Sequence, residues 1–95
     1  MRPHVRFEWD EAKRRSNLRR HGIDFAEAVR VFSGPNLTIA DDRYDYGEKR
    51  FLTLGLLNGR VIAIVHTESK EVIRLISIRK AERHEEIKYF QERWY

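Results

Sequence analysis

The stretch from Phe51 to Thr67 constrains the fold more than any other part of the chain. Two apolar runs, Phe51-Leu52-Thr53-Leu54-Gly55-Leu56-Leu57 and Val61-Ile62-Ala63-Ile64-Val65-His66-Thr67, stand on either side of the pair Asn58-Gly59. A two-residue type I′ turn needs positive φ at both central positions, and Asn and Gly accept it with least strain. The stretch therefore reads as an antiparallel hairpin with Leu57 opposite Arg60. After Glu68-Ser69-Lys70-Glu71, Val72 to Ile78 returns as another antiparallel strand, with Thr67 opposite Val72 across a four-residue turn. In that register one face carries Leu52, Leu54, Val61, Ala63, Val65 and Ile78, with Arg74 as the exception, and helices are expected to pack there. The other carries Thr53, Ile64, His66, Leu75, Ser77 and Arg79, and its polar end is expected to hold a site.

The flanking segments supply helices and outer strands. Val5, Phe7 and Trp9 alternate with Arg6 and Glu8, the period-two pattern of a half-buried strand. Asp10 is suited to cap a helix that ends at His21-Gly22. Only Ala12 and Leu18 are apolar inside that helix, so it is not expected to be deeply buried. Asp24 and Glu27 form a capping-box pattern ahead of an apolar stripe of Phe25, Ala28, Val29 and Phe32. Ser33-Gly34-Pro35-Asn36 stops this second helix, and Leu37 and Ile39 begin a strand that runs into Asp41-Asp42. A charged loop from Arg43 to Lys49 follows. Lys80 to Glu92 reads as a last helix, with Ala81, His84, Ile87 and Lys88 on one side. The order β-α-α-β-β-β-β-α with hairpin links predicts an α+β two-layer fold, a mainly antiparallel sheet with helices on one face, in one domain over 1–95.

Composition narrows the function. A chain of 95 residues excludes a multidomain enzyme. With 19 Lys and Arg against 15 Asp and Glu, the net charge of +4 favours a polyanionic partner. The absence of Cys excludes disulfides and thiolate metal sites and fits a reducing compartment, so a cytoplasmic protein is expected. The longest aliphatic run, Val61 to Val65, is too short for a signal core or a membrane span. No phosphate-cradling Gly loop, serine nucleophile elbow or Rossmann fingerprint occurs. His4, His21 and His84 lack metal-like spacing, so neither a metal nor another cofactor is expected.

Two groups of cations stand out. Lys13, Arg14, Arg15 and Arg19 coat the first helix, as either a solvated face or a surface for an acidic partner. Arg74, Arg79, Lys80 and Arg83 are expected to converge where the last strand meets the last helix. A guanidinium in a strand of Val, Ile and Leu is costly unless it is paired or faces a cleft. Arg74 therefore has a structural reading, an ion pair with a carboxylate such as Glu27, beside a functional one. Arg79 is read as functional because sites gather at strand ends. His66 is placed near Ile73, where an imidazole exchanges protons near neutral pH, although a single strand histidine is more often structural.

The phrase Phe7-Glu8-Trp9-Asp10-Glu11-Ala12-Lys13, followed by Asn17, Arg20-His21-Gly22, Phe25, Glu27-Ala28 and Val31-Phe32, resembles the start of the BrnT toxin family. Arg50-Phe51, Gly55, Thr67 and the closing Arg74-Leu75-Ile76-Ser77-Ile78-Arg79-Lys80-Ala81, with Arg83, Glu85 and Tyr89, extend the resemblance to nearly the whole chain. It implies a RelE-like ribonuclease toxin of a type II toxin-antitoxin pair that cuts RNA without metal and inhibits translation. A BrnA-like antitoxin would neutralise it and supply the link to DNA. The resemblance places the catalytic arginine in the Ser77-Ile78-Arg79-Lys80 segment. Arg79 is expected to stabilise charge with help from Arg74 or Lys80, and His66 or Glu68 to move protons. Lys80, Arg83, Arg50 and Ser77 are expected to hold RNA, and Lys13, Arg14, Arg15 and Arg19 the antitoxin. Family members often carry Arg just after the Thr-Glu pair, where this chain has Ser69, a departure that implies weakened cleavage if that Arg takes part. On this reading Arg79→Ala abolishes cleavage with the melting temperature nearly unchanged. The competing class is a non-catalytic basic module that holds an acidic protein or nucleic acid.

Overall fold

The computed structural model describes residues 5–43, 45 and 47–94, and for 93 and 94 the backbone alone. Tyr44 and Tyr46 of the charged loop, His4 and the terminal Tyr95 lie outside the described residues. The elements follow the expected order: β1 (Arg6–Glu8), α1 (Glu11–His21), α2 (Phe25–Ala28) continued by a 3-10 helix (Val29–Ser33), β2 (Asn36–Asp41), β3 (Arg50–Leu57), β4 (Arg60–Glu68), β5 (Val72–Lys80) and α3 (Arg83–Trp94). Asp10 caps α1 by accepting from the Lys13 amide at 3.1 Å, and Gly22 ends it at φ 71° with its amide on the Leu18 carbonyl. Asp24 caps α2 through the Ala26 amide at 3.0 Å, and the Glu27 amide bonds the Asp24 backbone carbonyl. The chain then tightens to 3-10 winding, whose period of three puts Phe25, Ala28 and Val31 in line. Val31 is therefore buried where a period of 3.6 favours Val29, which is half-buried.

The five strands form one sheet in the order β1-β5-β4-β3-β2, antiparallel except for the parallel β1–β5 pair. Asn58 and Gly59 have φ of 52° and 81°, and Leu57 lies opposite Arg60 as the turn chemistry requires. The β4–β5 register differs from the expected one. Thr67 pairs with Arg74 and His66 with Leu75, after which the register shifts so that Val65 pairs with Ser77 and Ala63 with Arg79. Ile76 is the extra residue of a β-bulge. The bulge lets Leu75 and Ile78, three positions apart, both point into the same core, which regular alternation forbids. It also turns Arg79 onto the face of Ala63, the same face as Arg74, and away from His66.

Helices cover both faces, a correction to the expectation of one. Phe25, Ala28, Val31 and Phe32 pack with Ile62, Ile64, Leu75 and Ile78, so α2 and the 3-10 helix close the face expected to hold the site. Tyr89 of α3 packs with Leu52, Leu54, Val61, Ala63 and Val65 on the opposite face. Gly55 permits the first contact, because a Cβ there would lie 2.3 Å from Val31 Cγ1. Asn17 is the buried residue of α1; its Oδ1 accepts from the Ile78 amide at 3.1 Å, closing the sheet edge beyond β1. The buried side of α3 is Glu85 and Tyr89, whereas Ile87 and Phe90 stay 47% and 41% exposed. The expected stripe through His84 and Ile87 is thus turned outward, because the helix buries a carboxylate that a hydrophobic pattern does not count.

Candidate active site

Strand β5 ends with Arg79 opposite Ala63, and α3 begins after Ala81, whose amide bonds the Val61 carbonyl. This short connection brings the first turn of α3 over the end of β5. Glu85, third residue of the helix, reaches back so that its Oε1 accepts from the Glu82 amide at 2.8 Å, half of a capping box. The same carboxylate takes both ends of the Arg79 guanidinium, Nη1 to Oε1 at 2.7 Å and Nη2 to Oε2 at 3.1 Å. The Arg79 side chain remains 24% exposed while that of Glu85 is 9% exposed. The Glu85 hydrogen bond raises the Arg79 pKa against the opposing effect of burial, and the nearby Arg43 charge works against it. Burial pushes the Glu85 carboxyl up, but hydrogen bonds from Arg79 and the Glu82 amide prevail and hold it below its ordinary value.

Arg79 borders a cleft of about 500 Å³ between α3 and the β2–β3 side of the sheet. Its floor is apolar, from Ile39, Leu52 and Leu54, and its rim carries Arg43, His84 and Lys88 beside Arg79. Asp41, at the end of β2, is buried and accepts from Arg43 Nε and Nη2 at 2.8 and 3.1 Å. His84 and Lys88 stand one turn apart on α3, with His84 Nδ1 at 3.5 Å from a Glu82 carboxylate oxygen. Two of the four cleft carboxylates, Asp41 and Glu85, thus bind guanidiniums, and Asp42 and Glu82 sit at the rim. The cleft thus gathers the cations Arg43, Arg79 and Lys88 and four carboxylates around an apolar floor.

The other expected site residues are dispersed. Arg74 is exposed on the same face as Arg79 but at the opposite end of β5, where it has no ion pair with Glu27. Lys80 lies opposite Ile62 on the other face, and Arg83 joins Ile87 and Phe90 on the outer side of α3. The four cations therefore do not converge on the strand-to-helix junction. Ser77 is half-buried beneath α1, and Arg50 is half-buried opposite Asp41, with Nε 3.6 Å from Glu48. His66 is fully buried under Phe32 and stacked on Phe51, and its Nε2 bonds Thr53 Oγ1 at 2.6 Å. Burial lowers its pKa despite the Glu68 charge 3.9 Å away and the Thr67 carbonyl. Glu68 itself is exposed at the end of β4. On α1, Lys13, Arg15 and Arg19 are exposed, but Arg14 binds Asp24 at 2.8 and 3.0 Å and also Glu11, tying α1 to the cap of α2. Arg43, His84, Lys88 and Glu85 were missed by sequence reasoning as site residues. Only Glu85 left a signal, a carboxylate three residues after the residue that starts a helix.

The fold and cleft define a small basic α+β protein with a guanidinium held at the mouth of an open pocket. A family model described as the ribonuclease toxin BrnT of a type II toxin-antitoxin system matches residues 9–85. The chain belongs to this family, whose description makes it a ribonuclease toxin with an antitoxin protein as partner. No curated relative matches the chain. Among the described residues no helix is long and apolar enough to cross a membrane.

Proposed function

We propose that the chain is a metal-independent endoribonuclease that inhibits translation, is neutralised by a BrnA-like antitoxin and cleaves RNA in the Arg79 cleft. The observation that carries this reading is a guanidinium fixed by a buried carboxylate yet still open to a pocket with three further basic side chains on its rim. In such cleavage the ribose 2′-oxygen attacks the adjacent phosphorus, a five-coordinate phosphorane forms, and the bond to the 5′-oxygen breaks. The 2′-hydroxyl gives up a proton, the 5′-oxygen receives one, and the phosphorane's extra negative charge needs cations in place beforehand. Arg79, pre-aligned by Glu85, supplies that charge without reorganising, and Arg43 and Lys88 add to it. His66 is sealed in the core and Glu68 lies opposite Ile73 at the far end of β4, so neither reaches the Arg79 cleft and proton transfer falls to groups on its rim. DNA is reached only through the antitoxin.

The Arg79–Glu85 bond also favours a second reading, in which Arg79 is spent on the fold and the chain is a non-catalytic module. Incubation with RNA in excess chelator separates the two. Removing Arg79 alone would strand the buried Glu85 carboxylate, so Arg79→Ala lowers the melting temperature, contrary to the sequence-based expectation. The informative variant is Arg79→Gln/Glu85→Gln, in which two amides replace the ion pair. Cleavage by the native chain in chelator that is lost in the folded double variant supports the enzyme. Intact RNA with antitoxin binding retained supports the module.

A further inference from the structure

One row of side chains on the α3 face has no part in the cleft chemistry. Arg50 on β3 is the register neighbour after the Phe51–His66 pair, which sets it beside Thr67 on β4, and Thr67 lies opposite Arg74 on β5. Adjacent strands are about 4.8 Å apart, so the two arginines flank the threonine hydroxyl with Cα atoms about 10 Å from each other. Arg74 is exposed, and among the described residues its guanidinium makes no ion pair or hydrogen bond, unlike those of Arg14, Arg43 and Arg79. Arg50 leans on Glu48 at 3.6 Å, and Glu8, the β1 neighbour of Arg74, holds Arg6 at 3.9 Å. Arg74, exposed on this face, can donate to a phosphate oxygen in a fork with the Thr67 hydroxyl beside it, while Arg50, whose side chain is 24% exposed with its Nε buried, adds positive charge from the other side. Asp41 is common to both places, as the register partner of Arg50 and a wall of the Arg79 cleft. Along β5 Arg74 and Arg79 are five positions apart, roughly 13 to 16 Å at strand rise with one bulged residue. That is the span of a few nucleotides of single-stranded RNA.

We infer that Arg50, Thr67 and Arg74 form a second phosphate subsite, which grips the backbone of the RNA strand a few nucleotides away from the phosphate at Arg79. The inference rests on the reading that the Arg79 cleft receives RNA. It gives the bound strand a direction across the sheet, from the first turn of α3 toward the β4–β5 turn.

The test uses the full chain and a single-stranded 2′-O-methyl oligonucleotide long enough to span both places, which binds but lacks the hydroxyl that cleavage needs. Arg74→Gln is expected to weaken binding and to reduce the slope of log K against log salt by about 0.7, the loss of one phosphate contact. Arg74→Lys keeps the slope, and Thr67→Val weakens binding without changing it. An unchanged affinity and slope in Arg74→Gln overturns the subsite, as does no binding by the native chain. If Arg74→Gln weakens only the antitoxin complex, the row belongs to the protein partner and the inference is wrong. Cleavage of an unmodified oligonucleotide, compared with the Arg79→Gln/Glu85→Gln variant, reports separately on the nuclease reading. A slope change without any cleavage keeps the subsite and removes the nuclease, and Arg79-dependent cleavage without a slope change does the reverse.

Discussion

Glu85 binds Arg79 through both carboxylate oxygens, at 2.7 and 3.1 Å, and with one of those oxygens also holds the Glu82 amide that opens α3. One carboxylate therefore aligns the cleft arginine and starts the helix that walls the cleft. Glu85→Ala removes both contacts and leaves the Arg79 charge partly buried, at a cost of about 2 kcal/mol. Urea unfolding is expected to show a lower midpoint with an unchanged slope. The Glu85 carboxyl is held below its ordinary value of 4.5, so its contribution is present above that value and is lost as the pH falls through the lower, folded-state pKa. The native chain thus loses stability in acid more steeply than Glu85→Gln, and equal acid dependence in the two would contradict the bond's role.

Val31 of the 3-10 helix packs directly over Gly55 of β3. A Cβ at 55 meets Val31 Cγ1 at 2.3 Å, so Gly55→Ala must push the 3-10 helix off β3. Overpacking of this kind costs about 1–3 kcal/mol. Val31→Ala clears the space, so adding Gly55→Ala to that background is expected to cost much less than it does in the native chain. A double-mutant cycle on thermal or urea unfolding measures the coupling, and simple additivity would show that the contact is not what excludes a side chain at 55.

Local chemistry made much of this fold legible. Asn58-Gly59, Asp10, Gly22 and Asp24 each act through the few residues around them, and each does what its type predicts. The hairpin register followed because a two-residue turn leaves one pairing. The β4–β5 turn is longer and does not set its register alone. There the bulge at Ile76 is decided by tertiary demands, the burial of Leu75 together with Ile78 and the Asn17 bond to the Ile78 amide. That single extra residue moves Arg79 to the opposite face, so the cleft it borders lies under α3 and not beside His66. The rim cations come from the β2–β3 loop and from α3, segments 41 residues apart at Arg43 and His84, and nothing local joins them. That Arg79 stands near the end of an aliphatic strand was legible, because a cation there is conspicuous.

His66 makes the pH dependence of stability informative. Its ring is enclosed by Phe32 and Phe51, its Nε2 bonds Thr53 Oγ1, and Thr53 in turn bonds Thr38 at 2.7 Å. Burial lowers its pKa from the ordinary 6.5, so the folded protein refuses a proton that the unfolded chain accepts. Its contribution is full above 6.5 and declines as the pH falls from there toward the depressed value. The melting temperature should drop between pH 7.5 and 5.5 by more in the native chain than in His66→Gln, whose amide can still reach Thr53. An equal drop in both would place the titration elsewhere.

The exposed cations of α1 supply the surface on which the proposed antitoxin contact is best tested. Lys13, Arg15 and Arg19 point to solvent, and Leu18 beside them is 39% exposed, whereas Arg14 is engaged with Asp24 and Glu11. Arg14 must stay, because its loss would loosen α1 from α2 and lower stability and binding together. The variant Lys13→Gln/Arg15→Gln/Arg19→Gln removes three positive charges from a surface where no described ion pair holds them. Rim charges act mainly on encounter, so the association rate with the antitoxin should fall at low salt while dissociation changes little. Raising the ionic strength shortens the reach of these charges and should bring the native and variant rates together. Stopped-flow association at two salt concentrations, with the melting temperature as a control for folding, measures this. Equal rates at low salt would mean that the antitoxin approaches from another side of the molecule.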